Sequence, residues 1–246
     1  MNRRGWLAAL AVGFSVLAAS AAAAAGTVID HIMLGAPDLA SGGRQVAELT
    51  GVTPAFGGVH PGRGTANALM SLGSRTYLEV IAPAPGQPPA NDFAKDLAAL
   101  PGLDIRTFAV AVPDLDALAA AARKAGLTPV GPTPGARETA DGTVLRWRTL
   151  DIEGHSFEGL VPFFIDWGDT PHPAATSPAG ATFQGLRVVH PRAAELRTVY
   201  QALGLDIPVS EGARPLILLD IVGKTGPVTL TGDAGGHQGF GVKRGK

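Results

Sequence analysis

Three side chains in this sequence combine chemical reactivity with apolar surroundings. His31 lies within TVIDHIMLGAPDL at residues 27–39, Glu79 within YLEVIAP and Glu158 within SFEGLVP. The three stretches have the apolar pattern of half-buried β-strands. A buried acid or imidazole costs several kcal/mol unless it is paired, hydrogen-bonded or bound to a metal ion. These residues are therefore the first candidates for acid–base or metal chemistry.

Each candidate also has a structural interpretation. His31 could be a hydrogen-bonded histidine of the core, and Glu158 could lie at an exposed edge. Glu79 could instead be paired with a nearby cation, for which three arginines are available. These arginines are Arg75, Arg146 and Arg148. The sequence leaves these alternatives open.

A glycine-rich loop, AFGGVHPGRG at residues 55–64, adds a second group of candidates. His60, Arg63 and Asn67 lie in it or directly after it. Arginine and asparagine donors could hold a carboxylate or carbonyl group of a small ligand, and glycine lets the backbone approach closely. The alternative is a plain hairpin loop with His60 on the surface. The loop lacks the Lys-Ser/Thr ending of a phosphate-binding loop.

A repeat positions these residues. A proline ends an opening strand three times, and a glycine ends the following helix 14, 13 and 13 residues later. The prolines are Pro37, Pro113 and Pro191, and the glycines are Gly51, Gly126 and Gly204. Proline stops a strand ladder, and glycine supplies the positive φ at a helix C-terminus. The strings TGVTP and AGLTP follow the first two helices.

The repeat predicts an α+β fold of two βαβββ modules with a third, incomplete module. When modules one and two are superimposed at their closing strands, Glu79 falls on Glu158. At the opening strands His31 falls on Thr107. Two acids at equivalent positions strengthen the hypothesis of a shared site between the modules.

Composition narrows the class of protein. The 246 residues carry 20 Lys and Arg against 21 Asp and Glu, for a net charge of -1. We therefore expect no nucleic-acid partner. The absence of cysteine rules out disulfides, thiolate metal sites and a thiol nucleophile.

The N-terminus has the features of a cleavable secretory signal. A basic start at residues 2–4 is followed by an apolar run at 6–19 and by three alanines at 23–25. This pattern predicts a signal peptide over residues 1–25, a secreted or periplasmic protein and no stable membrane insertion after cleavage. An uncleaved membrane anchor is the alternative.

The predicted organisation after the signal has four parts. Residues 26–169 form the main domain, with modules at 27–90 and 105–168. Residues 170–182 are a Pro/Ala/Ser linker, 183–232 the third half-module and 233–246 a flexible tail. The half-module leaves a sheet edge or an apolar face, which either the same chain or a homodimer must cover.

With these motifs in hand, the sequence resembles the vicinal oxygen chelate superfamily and, within it, the glyoxalase-like branch. The resemblance rests on VIDHIMLGAPDL, HPGRGTAN at 60–67, YLEVIAP and PFFIDWG at 162–168. It implies a cup between paired modules and a divalent metal such as Mn²⁺, Fe²⁺, Ni²⁺ or Zn²⁺. The implied ligands are His31, Glu79 and Glu158. Thr107 departs from the pattern, because a His or Gln normally stands there.

Two functions follow as expectations. In the first, the protein binds a small oxygen-rich ligand and acts as a metal-dependent lyase or isomerase. The metal would polarise a carbonyl oxygen, and Glu79 or Glu158 would move a proton. In the second, favoured by Thr107, the cup binds a small molecule without metal or catalysis.

Overall fold

The computed structural model describes residues 26–86, 88–139, 141–233 and 240–245. The predicted signal peptide lies outside these residues. Within the described ranges, no helix combines the length and apolar character needed to cross a membrane.

The first two repeats form the predicted βαβββ modules. Module one contains β1 (Ile29–Gly35), α1 (Leu39–Thr50), β2 (Ala55–His60), β3 (Thr65–Ser71) and β4 (Tyr77–Pro83). A short helix, α2 (Asp92–Ala98), leads to module two. That module contains β5 (Asp104–Ala111), α3 (Leu115–Lys124), β6 (Thr128–Glu138), β7 (Val144–Glu153) and β8 (Phe163–Asp166).

The repeated Pro-Asp and Gly residues define the helix ends. The Asp38 side chain accepts a hydrogen bond from the Ser41 amide at 2.8 Å and so caps α1. Asp114 caps α3 in the same way. The three predicted C-terminal glycines all have positive φ, with values of 72°, 80° and 69° for Gly51, Gly126 and Gly204. This confirms their predicted role.

The two modules share one large mixed sheet. Its strand order in the described residues is β2-β3-β4-β1-β5-β8-β7-β6. In each module the first strand runs parallel to the last, and β1 and β5 join the modules in antiparallel fashion. The sheet curls so far that its outer strands meet, and the Arg137 guanidinium on β6 donates to the carbonyl of Gly57 on β2. One face of the sheet therefore lines a deep cup.

The third repeat builds a separate small sheet. Its elements are β9 (Thr182–His190), α4 (Ala193–Ala202), β10 (Val209–Glu211), β11 (Leu216–Gly223), β12 (Gly226–Gly232) and β13 (Gly241–Arg244). The opening strand and helix follow the repeat, but β9 pairs antiparallel with β11 and parallel with β10. The strand pairing of the small sheet therefore differs from that of a βαβββ module.

Both sheets contribute to one apolar core. Ile32 and Leu34 of the large sheet belong to the same buried cluster as Val188 and Ile217 of the small sheet. The third repeat thus buries apolar surface against its own chain. The α+β class and the two-module architecture are confirmed.

Three local predictions are corrected. The tail was expected to be flexible, but Gly241–Arg244 pairs with β12, whereas residues 234–239 and 246 lie outside the described part. The predicted linker contains a 3-10 turn at Pro173–Ala175, and the Pro178 carbonyl bonds to the Ser71 amide. The stretch around Glu158 is a 3-10 turn, Glu158–Leu160, and not a strand.

Candidate functional site

The cup encloses a pocket of about 730 Å³ between the two modules. One part of its lining is polar and consists of His31, His60, Arg63, Thr65, Asn67, Glu79 and Arg137. Another part is aromatic and consists of Tyr77, Phe93, Trp147, Phe163 and Trp167. Strand alternation brings these side chains into the cup, because every second residue of β1, β3 and β4 faces it while the neighbouring residues enter the core.

A β-bulge in β1 places an acid beneath the cup. The register against β5 shifts between Ile29 and His31, which leaves Asp30 as an extra residue. Its Oδ1 atom can then lie 2.7 Å from Nδ1 of His31, its own neighbour in sequence. Without a bulge, adjacent strand residues would point to opposite faces.

The buried Asp30 carboxylate accepts hydrogen bonds from three donors. Besides His31 Nδ1, its Oδ2 atom accepts from Trp167 Nε1 at 3.1 Å and from His172 Nε2 at 3.0 Å. Burial alone would raise the Asp30 pKa, but the hydrogen bonds from His172 and His31 outweigh it and leave the pKa below its usual value. Because a carboxylate only accepts, His31 donates from Nδ1 to Asp30, and its Nε2 atom faces Glu79 in the cup.

Glu79 lies at the centre of the polar lining. Its Oε1 atom accepts from Asn67 Nδ2 at 2.7 Å, and its Oε2 atom lies 3.5 Å from His31 Nε2. His60 Nε2 lies 4.0 Å from Glu79 Oε1, and Thr65 holds the other ring nitrogen at 2.9 Å. Two imidazoles and an amide therefore surround one buried carboxylate.

The pKa of His60 is lowered from its usual value of 6.5. Burial is the main cause, and the charges of Arg137 and Arg63 add to it while Glu79 opposes it. His60 is consequently neutral at pH 7 and can accept or donate a hydrogen bond, depending on its tautomer.

Aromatic rings hold His31 from two sides. The Tyr77 ring stacks on it with ring centroids 4.6 Å apart and planes inclined by 18°. The Phe163 ring packs edge-on against it, with ring centroids 5.4 Å apart. Burial, with the charges of Asp30 and Glu79, raises the Tyr77 pKa well above its usual range. Tyr77 therefore remains a neutral phenol.

The structure brings together most of the predicted site. His31, Glu79, His60 and Asn67 contact one another directly or through one intermediary, and Arg63 lies exposed on the rim of the same pocket. Glu79 accepts a hydrogen bond from Asn67. The alternative interpretation, in which Glu79 pairs with an arginine, is therefore not what the described residues show.

Glu158 does not join this group. It lies on an exposed 3-10 turn with a φ of 47° and lines a separate recess with Thr107. The pairing explains why, because Met33 of β1 pairs with Glu79 whereas its counterpart Ala109 of β5 pairs with Phe163. Phe163, and not Glu158, is the structural equivalent of Glu79.

The residues present do not fit the two-module metal site that the resemblance implies. The second module offers the Thr107 hydroxyl, which donates to the Gly159 carbonyl at 3.0 Å, and the phenyl ring of Phe163. In the first module, the Asn67 amide lies between His60 and Glu79, 3.3 Å from His60 Nε2, and donates to Glu79 Oε1 at 2.7 Å. No group of three His, Asp or Glu in the described residues is arranged to hold a metal ion.

Sequence reasoning missed Asp30, Trp167, His172 and Arg137. The last lies on β6, Thr128–Glu138. Glycine at position 58 lets β6 approach β2 at this point, because a β-carbon there would collide with the Glu138 carbonyl. No local sequence pattern indicates a contact between two strands that are this far apart in the chain.

Comparisons with known proteins agree with this architecture. The family model described as a glyoxalase-like domain matches residues 29–204. A hypothetical protein from Staphylococcus aureus has a similar structure, with 17% identity and a TM-score of 0.58 over 80% of this chain and 82% of that chain. That likeness shows the fold. No match was found among curated proteins.

Two weaker structural matches are methylmalonyl-CoA epimerases. The enzyme from Mycobacterium tuberculosis has 22% identity and a TM-score of 0.43 over 57% of this chain and 88% of that chain. The Streptomyces coelicolor enzyme, in complex with 2-nitronate-propionyl-CoA, has 21% identity and a TM-score of 0.43 over 60% and 99%. Since the family model covers more than half of the sequence, the chain belongs to the glyoxalase-like domain family.

Proposed function

We propose that this protein binds a small carbonyl compound in the cup and transfers a proton at the carbon next to the carbonyl group. The observation that supports the proposal is the placement of Glu79. It is a buried carboxylate on the wall of a pocket of about 730 Å³, large enough for a small organic molecule. Asn67 fixes its Oε1 atom and leaves Oε2 for chemistry.

In the proposed step, Glu79 Oε2 takes the proton from the carbon next to the carbonyl. The C–H electron pair forms the enolate. Return of the proton to a different position completes an isomerisation. In a lyase, the enolate instead expels a group from the neighbouring carbon, and the proton leaves with that group. General acid–base steps of this kind contribute about 10²- to 10⁴-fold in rate.

His31 supports Glu79 in this mechanism. Its Nε2 atom lies 3.5 Å from Glu79 Oε2, and in the proposed step the neutral imidazole receives the proton there. The carboxylate of Asp30, 2.7 Å from Nδ1, then stabilises the imidazolium. Asp30 is a positioning residue, since it acts on the ligand only through His31.

The test is solvent exchange at carbon. The protein is incubated in D₂O with a panel of 2-oxo acids and other small carbonyl compounds, and loss of the C–H signal is followed by proton NMR. Glu79→Gln should slow exchange at least about 100-fold, whereas the control Glu48→Gln, which changes an exposed acid on α1, should leave it unchanged. Equal rates in the wild type and Glu79→Gln would refute the role of Glu79.

A second candidate is a binding module without catalysis. It is supported by the replacement of both second-module positions of the family pattern, by Thr107 and Phe163. This candidate predicts that a panel member binds without any exchange at carbon. The same NMR experiment therefore separates the two functions.

We also propose that the protein is secreted or periplasmic, on the strength of the basic, apolar and small-residue pattern in residues 1–25. The mass of the mature chain should correspond to a start at Gly26. A homodimer remains a prediction, to be tested by sizing chromatography with light scattering.

A further inference from the structure

Arg137 is a buried cation that has no carboxylate within ion-pair distance in the described residues. Its relative exposure is 4%, and it lines the cup. Nine ion pairs within 4.0 Å occur in the described part of the chain, and none of them includes Arg137. Among the described residues its guanidinium donates to a neutral acceptor, the carbonyl of Gly57.

Burial of an unpaired charge is costly, and buried charges in proteins are normally paired or bind a ligand. Burial lowers the pKa of Arg137, but the group stays protonated because the usual value is 12.5. The guanidinium carries five donors in a planar fork, which matches a carboxylate. A ligand that brings its own anionic group into the cup would satisfy this charge.

The neighbouring wall of the cup is aromatic and consists of two indoles whose planes are inclined by 53°. Trp147 and Trp167 lie with ring centroids 5.3 Å apart. Trp167 is held by its bond to Asp30 at 3.1 Å. Trp147 lies directly on the backbone of Gly135, where a β-carbon would collide with the indole. Both rings are therefore fixed before a ligand arrives.

Strand geometry places this wall beside the cation. Gly135 and Arg137 are two residues apart on β6, so they share a face, and Gly135 pairs directly with Trp147 on β7. An anionic group on Arg137 would therefore leave the rest of the ligand next to the indoles.

We propose that the ligand of this cup is an aromatic 2-oxo acid or a close analogue, with its carboxylate on Arg137 and its planar ring against Trp147 and Trp167. That the ligand carries a carbonyl group rests on the function proposed above. That it carries an anionic group and a planar ring rests on Arg137 and the two indoles alone.

Three probes separate these requirements by isothermal titration calorimetry. Phenylpyruvate carries both groups, its methyl ester lacks the charge and pyruvate lacks the ring. We expect phenylpyruvate to bind at least about tenfold more tightly than either, because a hydrogen bond to a charged group contributes about tenfold to a hundredfold in affinity. Equal binding of acid and ester, or no binding of any probe, would overturn the proposal.

Variants assign the preference to residues. Arg137→Met should abolish the difference between acid and ester, and Arg137→Lys should retain part of it. Trp147→Leu should abolish the difference between phenylpyruvate and pyruvate. Circular dichroism checks folding of each variant, since Arg137 also bonds across the sheet edges. The comparison of probes on the wild type does not depend on any variant.

The outcome is distinguishable from failure of the proposed function. If carbon exchange depends on Glu79 while acid and ester bind equally, the proton-transfer function stands and the ligand class is wrong. If acid binds selectively and Glu79→Gln changes no exchange rate, the ligand class stands and the catalytic proposal is wrong.

Discussion

Replacement of Asp30 by asparagine tests the hydrogen-bond network beneath the cup. The carboxylate accepts from His31, Trp167 and His172, all through ring N–H groups. Asparagine has the same shape but only one accepting oxygen. Its NH₂ group would face donors that it cannot bond, so at least one ring N–H loses its partner.

The expected loss follows from the number of bonds. A hydrogen bond to a charged group contributes about 1.5–3 kcal/mol, and Asp30→Asn removes at least one of the three, because the single amide oxygen can stay on the Trp167 and His172 donors. The neutral amide costs less to desolvate, so the lower end of this range applies, about 1.5 kcal/mol at pH 7. Urea denaturation followed by circular dichroism measures this change in unfolding free energy.

Asp38→Asn is the matched control. Asp38 is the exposed N-cap of α1, where Asn and Asp are nearly equivalent, so its unfolding free energy should change by less than about 0.5 kcal/mol. A loss below about 1 kcal/mol for Asp30→Asn would show that the network contributes little and would refute the reasoning.

The same network predicts a pH dependence. The folded-state pKa of Asp30 lies below its usual value of 3.8, so its contribution is present above that pH. It is lost as the pH falls below 3.8 and through the folded pKa. The difference in unfolding free energy between wild type and Asp30→Asn should therefore shrink as the pH falls below about 4. A difference that stays constant down to pH 2 would contradict this prediction.

Three further predictions concern single positions. By NMR, the His60 imidazole should titrate below pH 6.5. Glu79→Gln should lower the midpoint further, because the Glu79 charge favours the imidazolium. A midpoint above 6.5 would contradict the argument that burial lowers the His60 pKa. Gly135→Ala should cost about 1–3 kcal/mol in urea denaturation, since a β-carbon collides with the adjacent indole; an unchanged stability would mean that the ring moves freely. Tyr200→Phe should cost about 1–2 kcal/mol, because the buried Leu160 carbonyl loses its donor; a stabilised variant would refute that.

Local signals in the sequence predict the modules well. The prolines, the capping aspartates and the C-terminal glycines act within a few residues of their own position, so their roles follow from local rules. His31 and Glu79 were found for a related reason, since each interrupts an apolar strand. Both lie in the cup, as the repeat suggested.

The second module shows where such reasoning stops. SFEGLVP resembles YLEVIAP in its letters, but its middle forms a 3-10 turn, and the strand that pairs with β5 begins later, at Phe163. Strand register depends on partners that the sequence does not reveal. The superposition of the two modules by sequence therefore assigned Glu158 to the closing strand, which in the structure begins after it.

The remaining site residues depend on contacts that are distant in sequence or on irregular backbone. Asp30 reaches the His31 ring only because of a bulge, which no residue type in β1 announces. Arg137 is buried only because the sheet curls until β6 meets Gly57. His172 and Trp167 find Asp30 across more than 130 positions of the chain.

The central claim is that Glu79 moves a proton on a carbonyl ligand, without a metal shared between the two modules. It is tested most directly by carbon–deuterium exchange of the bound 2-oxo acid, with EDTA-treated wild type beside untreated wild type and Glu79→Gln. The account predicts equal exchange in the first two and at least about 100-fold slower exchange in the variant. Exchange that EDTA abolishes and added Mn²⁺, Fe²⁺, Ni²⁺ or Zn²⁺ restores would contradict it.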